Sequence, residues 1–446
     1  MARNRSSQQL SNPTRCQSPM FEVIKGRGIR TPGYLRVLYF STFFLRVAFG
    51  ALLLIIAKYV PCETAYEGLL NVAIIAVPYP LAEMMTANYF GMLSDRIGRK
   101  RVIVAGTSLA AVIVLLYTLS NNVWYLATLH GIHGIGAAAT IAPAIAMIAD
   151  HADTCDRGRQ MGWFDYATFL GYIIGAVVGG FLIDLVGAEV GFIIMASVLI
   201  GSALMLQLLV RKESVRVKSE SLMGFKSLKQ VFRIREVRLM FPIWLIIATL
   251  LGLAITYLPR IMLSADVSGS TIGILFGGAG IALGLFQPFW GKVSDIVGRI
   301  PVMAYGVFSI FGVVIMALFF SDYIYTRVGD EIAFNLVGLV PLGILGLGAG
   351  AFVPAALALM ADSSKESSYG ATMGLYSFAL GFGAFIAESI GLGIIIASGG
   401  DDAPTWLLYF AAALIALAVV LMTVFFISGF VRKLMKNRGR MPDDGC

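Results

Sequence analysis

Long apolar runs alternate with short polar ones along almost the whole chain. Twelve of the runs reach membrane length, at approximately 37–60, 67–90, 102–120, 123–149, 160–184, 188–210, 239–259, 270–290, 301–321, 333–361, 369–397 and 404–430. A helix needs about 20 apolar residues to cross about 30 Å of hydrocarbon. Each run is predicted to be a helix, because in lipid every backbone N–H and C=O must be paired within its own segment. Many runs carry Gly and Ala at four-residue spacing, which lets helices approach closely.

The polar interruptions repeat. The segment Gly91-Met-Leu-Ser-Asp95-Arg96-Ile-Gly98-Arg99-Lys-Arg recurs 200 residues later as Gly291-Lys-Val-Ser-Asp295-Ile-Val-Gly298-Arg299. A second match has an offset of 212. It aligns Gly134-Ile-Gly136-Ala and Ala149-Asp150 with Gly346-Leu-Gly348-Ala and Ala361-Asp362. The 12 extra residues fit in the loop Ser321–Glu331. The fold class predicted is therefore an all-α integral membrane protein, with twelve transmembrane helices in two pseudo-symmetric six-helix bundles. Such internal repeats are a mark of transporters in which one half rocks against the other.

Charge refines this picture. Of 446 residues, 58% are hydrophobic and only 13% charged, against about 25% charged in soluble domains. Mean hydropathy is +0.82. Thirty of the 34 Lys and Arg fall in the termini and the even-numbered interruptions, and only Lys58, Arg260 and Arg327 occupy the opposite loops. This bias predicts a multi-pass protein of the cell membrane with both termini cytoplasmic. It also accounts for the net charge of +8, so no nucleic-acid partner is inferred. The predicted organisation is a basic tail (1–36), a first bundle (37–210), a basic linker (211–238), a second bundle (239–430) and a terminal tail (431–446). The linker is expected to lie against lipid headgroups. The four cysteines are scattered and form no metal-like pair, so no metal is expected.

The loop Gly91, Asp95, Arg96, Gly98, Arg99 and its copy Gly291, Asp295, Gly298, Arg299 resemble the signature between spans 2 and 3 of the major facilitator superfamily. The resemblance extends from about residue 37 to 430. It implies a cytoplasmic gate in which Arg99 pairs with a carboxylate at the end of span 4, where Asp150 sits. The Gly residues are expected to allow tight turns, and Asp95 to face a helix N-terminus. The run Gly162, Gly171, Gly175, Gly179, Gly180 is similar to the span-5 glycine motif of the drug:proton antiporter branch, with Ala176 where that branch usually has Pro. Packing alone would need this run to be a flat face against span 8. In span 4, His130 and His133 stand where the branch often has Arg and Gln. The two histidines are three residues apart and share a helix face.

Ionisable residues inside a bilayer are expensive and tend to face a cavity or a partner. Arg46 in span 1, Glu83 in span 2 and Glu388 in span 11 are the outstanding cases, with Asp165 nearer the end of span 5. Glu83 or Glu388 suits reversible protonation. Arg46 suits an anionic group, or an ion pair with Glu83. Asp165 suits a structural pairing with nearby Arg residues.

No nucleotide loop, zinc-protease helix or nucleophile elbow occurs, so neither an enzyme nor a cofactor is expected. The partners expected are membrane lipid, a small-molecule substrate and protons, with the chain a monomer. The leading reading is a secondary transporter that exports small amphipathic compounds by proton antiport. The alternative is proton-coupled uptake or exchange of a small organic anion anchored by Arg46. A non-transporting sensor on the same fold is the third reading.

Overall fold

The computed structural model describes residues 33–151, 157–210, 232, 234–320, 325–328, 331–363, 369–400 and 402–437. Among the described residues, twelve helices are long and apolar enough to cross a membrane. Spans 1–6 are Gly33–Tyr59, Ala65–Ala87, Arg99–Leu119, Val123–Ile148, Trp163–Leu185 and Gly187–Leu209. Spans 7–12 are Arg235–Ser264, Gly269–Val297, Arg299–Phe319, Leu336–Met360, Phe378–Ser398 and Ala403–Ser428. The twelve-span reading thus holds, with ends shifted by a few residues. Much of the expected linker and both tails lie outside the described residues.

Three spans are interrupted. Span 2 changes helix at Val77, where Pro78 and Pro80 follow. Proline has no N–H to donate, and its ring clashes with the preceding turn. Span 8 passes through a π-turn at Ile281–Leu285, and span 10 breaks between Ala349 and Phe352. The two breaks face each other, since a Cβ on Gly350 would lie 2.9 Å from the Leu283 carbonyl oxygen.

One boundary differs in kind from the sequence expectation. Residues 333 and 334, expected to begin span 10, instead end strand β2 (Glu331–Phe334), which pairs antiparallel with β1 (Tyr325–Val328) in the expected loop. Alternating β-branched and aromatic residues favour a strand there. Span 10 starts only at Leu336, where the Asn335 side chain accepts the Val337 N–H and so caps the helix.

Each half has its own core. The first is built around Phe49, Tyr117, Phe192 and Leu199, and the second around Trp244, Met303, Phe352 and Phe425. Lipid tails are as apolar as Leu, so packing and small residues hold these helices together more than exclusion from water does. Two further clusters join the halves. Leu69 and Ala73 of span 2 meet Leu253 and Tyr257 of span 7 and Ala387 of span 11. Leu54 of span 1 meets Val267 and Ile272 beside span 8. Both lie toward the Arg260 end of the molecule. Toward the Arg99 end, the cluster of Leu38, Ile103, Met147 and Phe164 belongs to the first half alone.

Candidate functional site

The helix breaks and small residues bring four candidates together in the first half. A Cβ on Gly134 would strike the Tyr79 carbonyl, and one on Gly131 would lie 3.1 Å from Pro78, so spans 2 and 4 touch at the backbone. That contact sets the Tyr79 ring 4.9 Å from His130 and 5.6 Å from His133. The buried Tyr117 hydroxyl, from span 3, lies 2.9 Å from His130 Nδ1 and 3.3 Å from His133 Nδ1. A phenol has one proton to donate. It can therefore donate to one imidazole while accepting from the other, which gives the two rings complementary tautomers. The histidines are held by a hydroxyl, not by the backbone carbonyl that a simple packing role would use. Among the described residues the buried His133 Nε2 has no partner, and its ring packs 5.0 Å from Phe49.

Arg46 lies below this group. Its guanidinium donates to Tyr172 Oη at 3.0 Å. It also stands 5.3 Å from the Tyr172 ring centroid and 5.7 Å from that of Phe49. Cation–π contacts of this kind are worth more when desolvated. Among the described residues Arg46 Nε has no partner. Among the described residues Arg46 forms no direct ion pair with Glu83, although the two lie within Coulombic range.

Glu388 occupies the other side of the seam. Its side chain is 8% exposed. Thr256 Oγ1 donates to Oε1 at 3.2 Å, and Tyr257 Oη donates to the Glu388 backbone carbonyl at 2.8 Å. Oε2 is buried with no partner. The candidates therefore form two groups: Arg46, Glu83, His130 and His133 in the first half, and Glu388 in the second. The side chain of Asp165 is instead exposed on span 5.

The two signature loops fold alike. The helix that continues from span 2 to Ile97 is capped by Gly98 (φ +103°), and span 8 by the equivalent Gly298 (φ +107°), a region that strongly favours glycine. Gly91 and Gly291 have open space around them, so neither serves close helix contact. Arg99 pairs with Asp95 and donates to Ser94 Oγ at 2.6 Å. Arg299 likewise pairs with Asp295 and donates to Ser294 Oγ at 2.7 Å. Arg299 Nε also reaches Asp362 at 3.0 Å, the repeat equivalent of the Arg99–Asp150 pairing expected in the first half. The Asp150 side chain lies outside the described residues. Arg96 is exposed.

The span-5 glycines serve a different neighbour from the one expected. Cβ atoms on Gly171, Gly175 and Gly179 would each collide with span 1, against Phe43, Val47 and Ala51. Gly180 alone of these meets span 8, at Gly269 and Gly273. Residues 171, 175 and 179 follow four-residue spacing and so share one helix ridge, while Gly180 lies about 100° round the helix. The surroundings of Gly162 lie outside the described residues.

At the opposite end from the signature loops, each half lends a charge to the other's backbone. Arg260 of span 7 donates to the Ala57 carbonyl at 3.3 Å. Asp184 of span 5 accepts the Gly269 and Ser270 N–H groups at 3.0 and 2.7 Å, a carboxylate placed on a helix N-terminus.

This architecture coincides with a match over two stretches, residues 37–266 and 252–439, to the family model of the Major Facilitator Superfamily. The chain belongs to that superfamily. Its members are transporters, not enzymes, and this one is a multi-pass membrane protein. An uncharacterized MFS-type transporter of Methanocaldococcus jannaschii is 27% identical over 78% of this chain and 88% of its own length. The multidrug resistance protein MdtG of Proteus mirabilis is 28% identical over 53% of this chain and 60% of its own. The quinolone resistance protein NorA of Staphylococcus aureus is 23% identical, covering 64% and 74%. Among solved structures, the nucleoside transporter NupG superposes with a TM-score of 0.68 at 12% identity. It covers 89% of this chain and 99% of its own, a likeness of fold alone.

Within this superfamily fold, several site residues carry no signal of their own in the sequence. Tyr79, Tyr117 and Tyr172 are aromatic residues in apolar runs, and the contacts that select them come from other spans. Ser94 and Ser294 did carry a signal, because Ser-Asp recurs in both loops. The substitution Tyr117→Phe would strand two imidazole nitrogens. We expect it to cost about 1–3 kcal/mol, read as a lower unfolding temperature in detergent. His130→Ala should then cost less when combined with Tyr117→Phe than it does alone.

Proposed function

We propose that this chain exports small amphipathic compounds in exchange for protons by alternating access, with Glu388 and Glu83 as the proton-carrying groups. The observation that carries this reading is Glu388, a carboxylate buried within span 11 (8% exposed), with Glu83 as a second carboxylate inside span 2 of the other half. Among the described residues no cation pairs with Glu388, and Oε2 is unpartnered. A charge at mid-bilayer costs at least about 2.5–3.5 kcal/mol. A carboxylate kept there without a cation is suited to binding and releasing a proton. The multidrug and quinolone resistance proteins among the relatives support a drug-like substrate.

In this reading the protein is a monomer in the cell membrane, both termini are cytoplasmic, and the halves are sealed at the outer, Arg260 end. Gly91, Asp95, Arg96, Gly98, Arg99 and Asp150, with Gly291, Asp295, Gly298 and Arg299, form the inner gate. Gly162 and the other span-5 glycines support the bundle. The anion-uptake alternative needs a free cation in the cavity, whereas Arg46 is engaged by Tyr172 and two aromatic faces.

The test uses the full chain in liposomes with a pH dye inside. Pools of lipophilic cations, and separately of small carboxylates and organophosphates, are added outside without an imposed gradient. A pH change that follows only the cation pools is expected. A response confined to the anion pools would overturn export in favour of anion exchange, and no response to either would overturn proton coupling.

A further inference from the structure

We propose that Cys62 is a thiol-exchange site for small anionic disulfides, and that forming the mixed disulfide there releases Arg260 and loosens the seal between the halves. Arg260 crosses from span 7 into the turn between spans 1 and 2. There its Nη2 donates to Cys62 Sγ and its Nη1 to the Ala57 carbonyl. The arginine is 6% exposed, and among the described residues its buried Nε has no partner. Cys62 itself is a free, exposed thiol. An accessible sulfur thus sits directly on a buried cation with unused hydrogen-bonding capacity. That arrangement can take an incoming group that brings both a disulfide and a negative charge.

The site has no slack. A Cβ on Gly68 would collide with Nη2, Nε and Cζ of Arg260, so the guanidinium already fills the slot between the turn and span 2. A group added to Cys62 Sγ must displace it. Glu63 and Glu67 share this turn, but the Glu67 carboxylate is occupied by the Glu63 N–H at 2.9 Å and lies at a helix N-terminus. Lys58 closes span 1 just before it.

The chemistry is ordinary exchange. The Cys62 thiolate attacks one sulfur of R–S–S–R, the new Cys62–S–S–R bond forms as the old S–S bond breaks, and R–S⁻ leaves with the electron pair. The proton shed by Cys62 passes to that leaving thiolate. No net oxidant is required beyond the disulfide itself. Arg260 would then follow the adduct's negative charge or be pushed from the slot. Either way the Ala57 carbonyl loses its donor from the other half.

The experiment treats the full chain in liposomes with bis(2-sulfonatoethyl) disulfide, and in parallel with bis(2-trimethylammonioethyl) disulfide. Adducts are read peptide by peptide by mass spectrometry, and amide hydrogen exchange is followed over 57–68 and 260–272. We expect an adduct on Cys62 and faster exchange in both segments, with neither effect in Cys62→Ala. The anionic-to-cationic rate ratio at Cys62 should fall roughly fivefold in Arg260→Gln, since a nearby cation favours an approaching anion. Absence of an adduct on Cys62, or an adduct with unchanged exchange, would overturn the proposal. An unchanged rate ratio in Arg260→Gln would overturn the preference for anions.

Discussion

Glu388→Gln is expected to reduce proton-linked transport to background while leaving the folded protein at least as stable as wild type. The two halves of that statement separate a coupling role from a structural one. Gln keeps the size of the side chain and its Oε1, so Thr256 can still donate to it as it does to Glu388 at 3.2 Å. The Tyr257 hydrogen bond goes to the backbone carbonyl and is indifferent to the substitution. What changes is the titratable oxygen, Oε2, which is buried and unpartnered. A carboxyl group in such a place contributes nothing to folding that an amide would lose, and a buried ion is costlier than a buried amide. Stability should therefore stay level or rise. The check is a pH-dye transport assay and a detergent melting curve on the same preparation. Full proton-linked transport in the Gln variant would sink the assignment. A large drop in melting temperature would show that Glu388 serves structure instead. Glu83→Gln is the companion, since Glu83 is the carboxylate embedded in span 2 of the other half.

The fold was legible because the bilayer reduces it to one dimension. Apolar run length sets the spans and the Lys and Arg bias alternates between loops, and both can be read without knowing any contact. The departures are tertiary. The π-turn of span 8 and the break in span 10 form where Gly350 lies against the Ala282 and Leu283 carbonyls, a contact between residues far apart in sequence. Most of the hairpin preceding span 10 falls in the segment read as a loop, and only its end, Ala333 and Phe334, lies in the apolar run.

The site was legible wherever a charge interrupts an apolar run, as at Arg46, Glu83 and Glu388. It was illegible where its members are apolar-looking. The sequence contains 17 Tyr, and only close helix approaches, of spans 2 and 4 at Gly134 and of spans 1 and 5 at Gly171, select Tyr79 beside the histidines and Tyr172 beside Arg46. Arg260 is an instructive middle case. Its position at a span end reads as a simple interfacial charge, yet the side chain turns inward and crosses to the other half, because Gly68 leaves room for a guanidinium.

The same substitution made five residues apart in span 5 should have two different consequences. Gly175→Val would drive a β-branched side chain into the Val47 carbonyl and to within 3.0 Å of the Gly50 Cα. Both neighbours are span-1 backbone inside the first bundle, and they cannot retreat without dismantling its core. Overpacking of this kind typically costs about 1–3 kcal/mol and more where backbone is struck, so little folded protein should be recovered. Gly180→Val strikes backbone too, at Gly269 and within 3.0 Å of the Gly273 Cα, but this neighbour belongs to the other half. The halves can part along that seam, as a rocking transporter must allow. The variant should fold, lose the Asp184 contacts to the Gly269 and Ser270 N–H groups, and rest with its Arg260 end open. Size-exclusion yield and melting temperature distinguish the first outcome, and hydrogen exchange over 268–273 distinguishes the second. Equal losses of folded protein in both variants would mean that the seam between spans 5 and 8 is as much a part of the core as the span 1–span 5 contact, and the rocking interface would have to lie elsewhere.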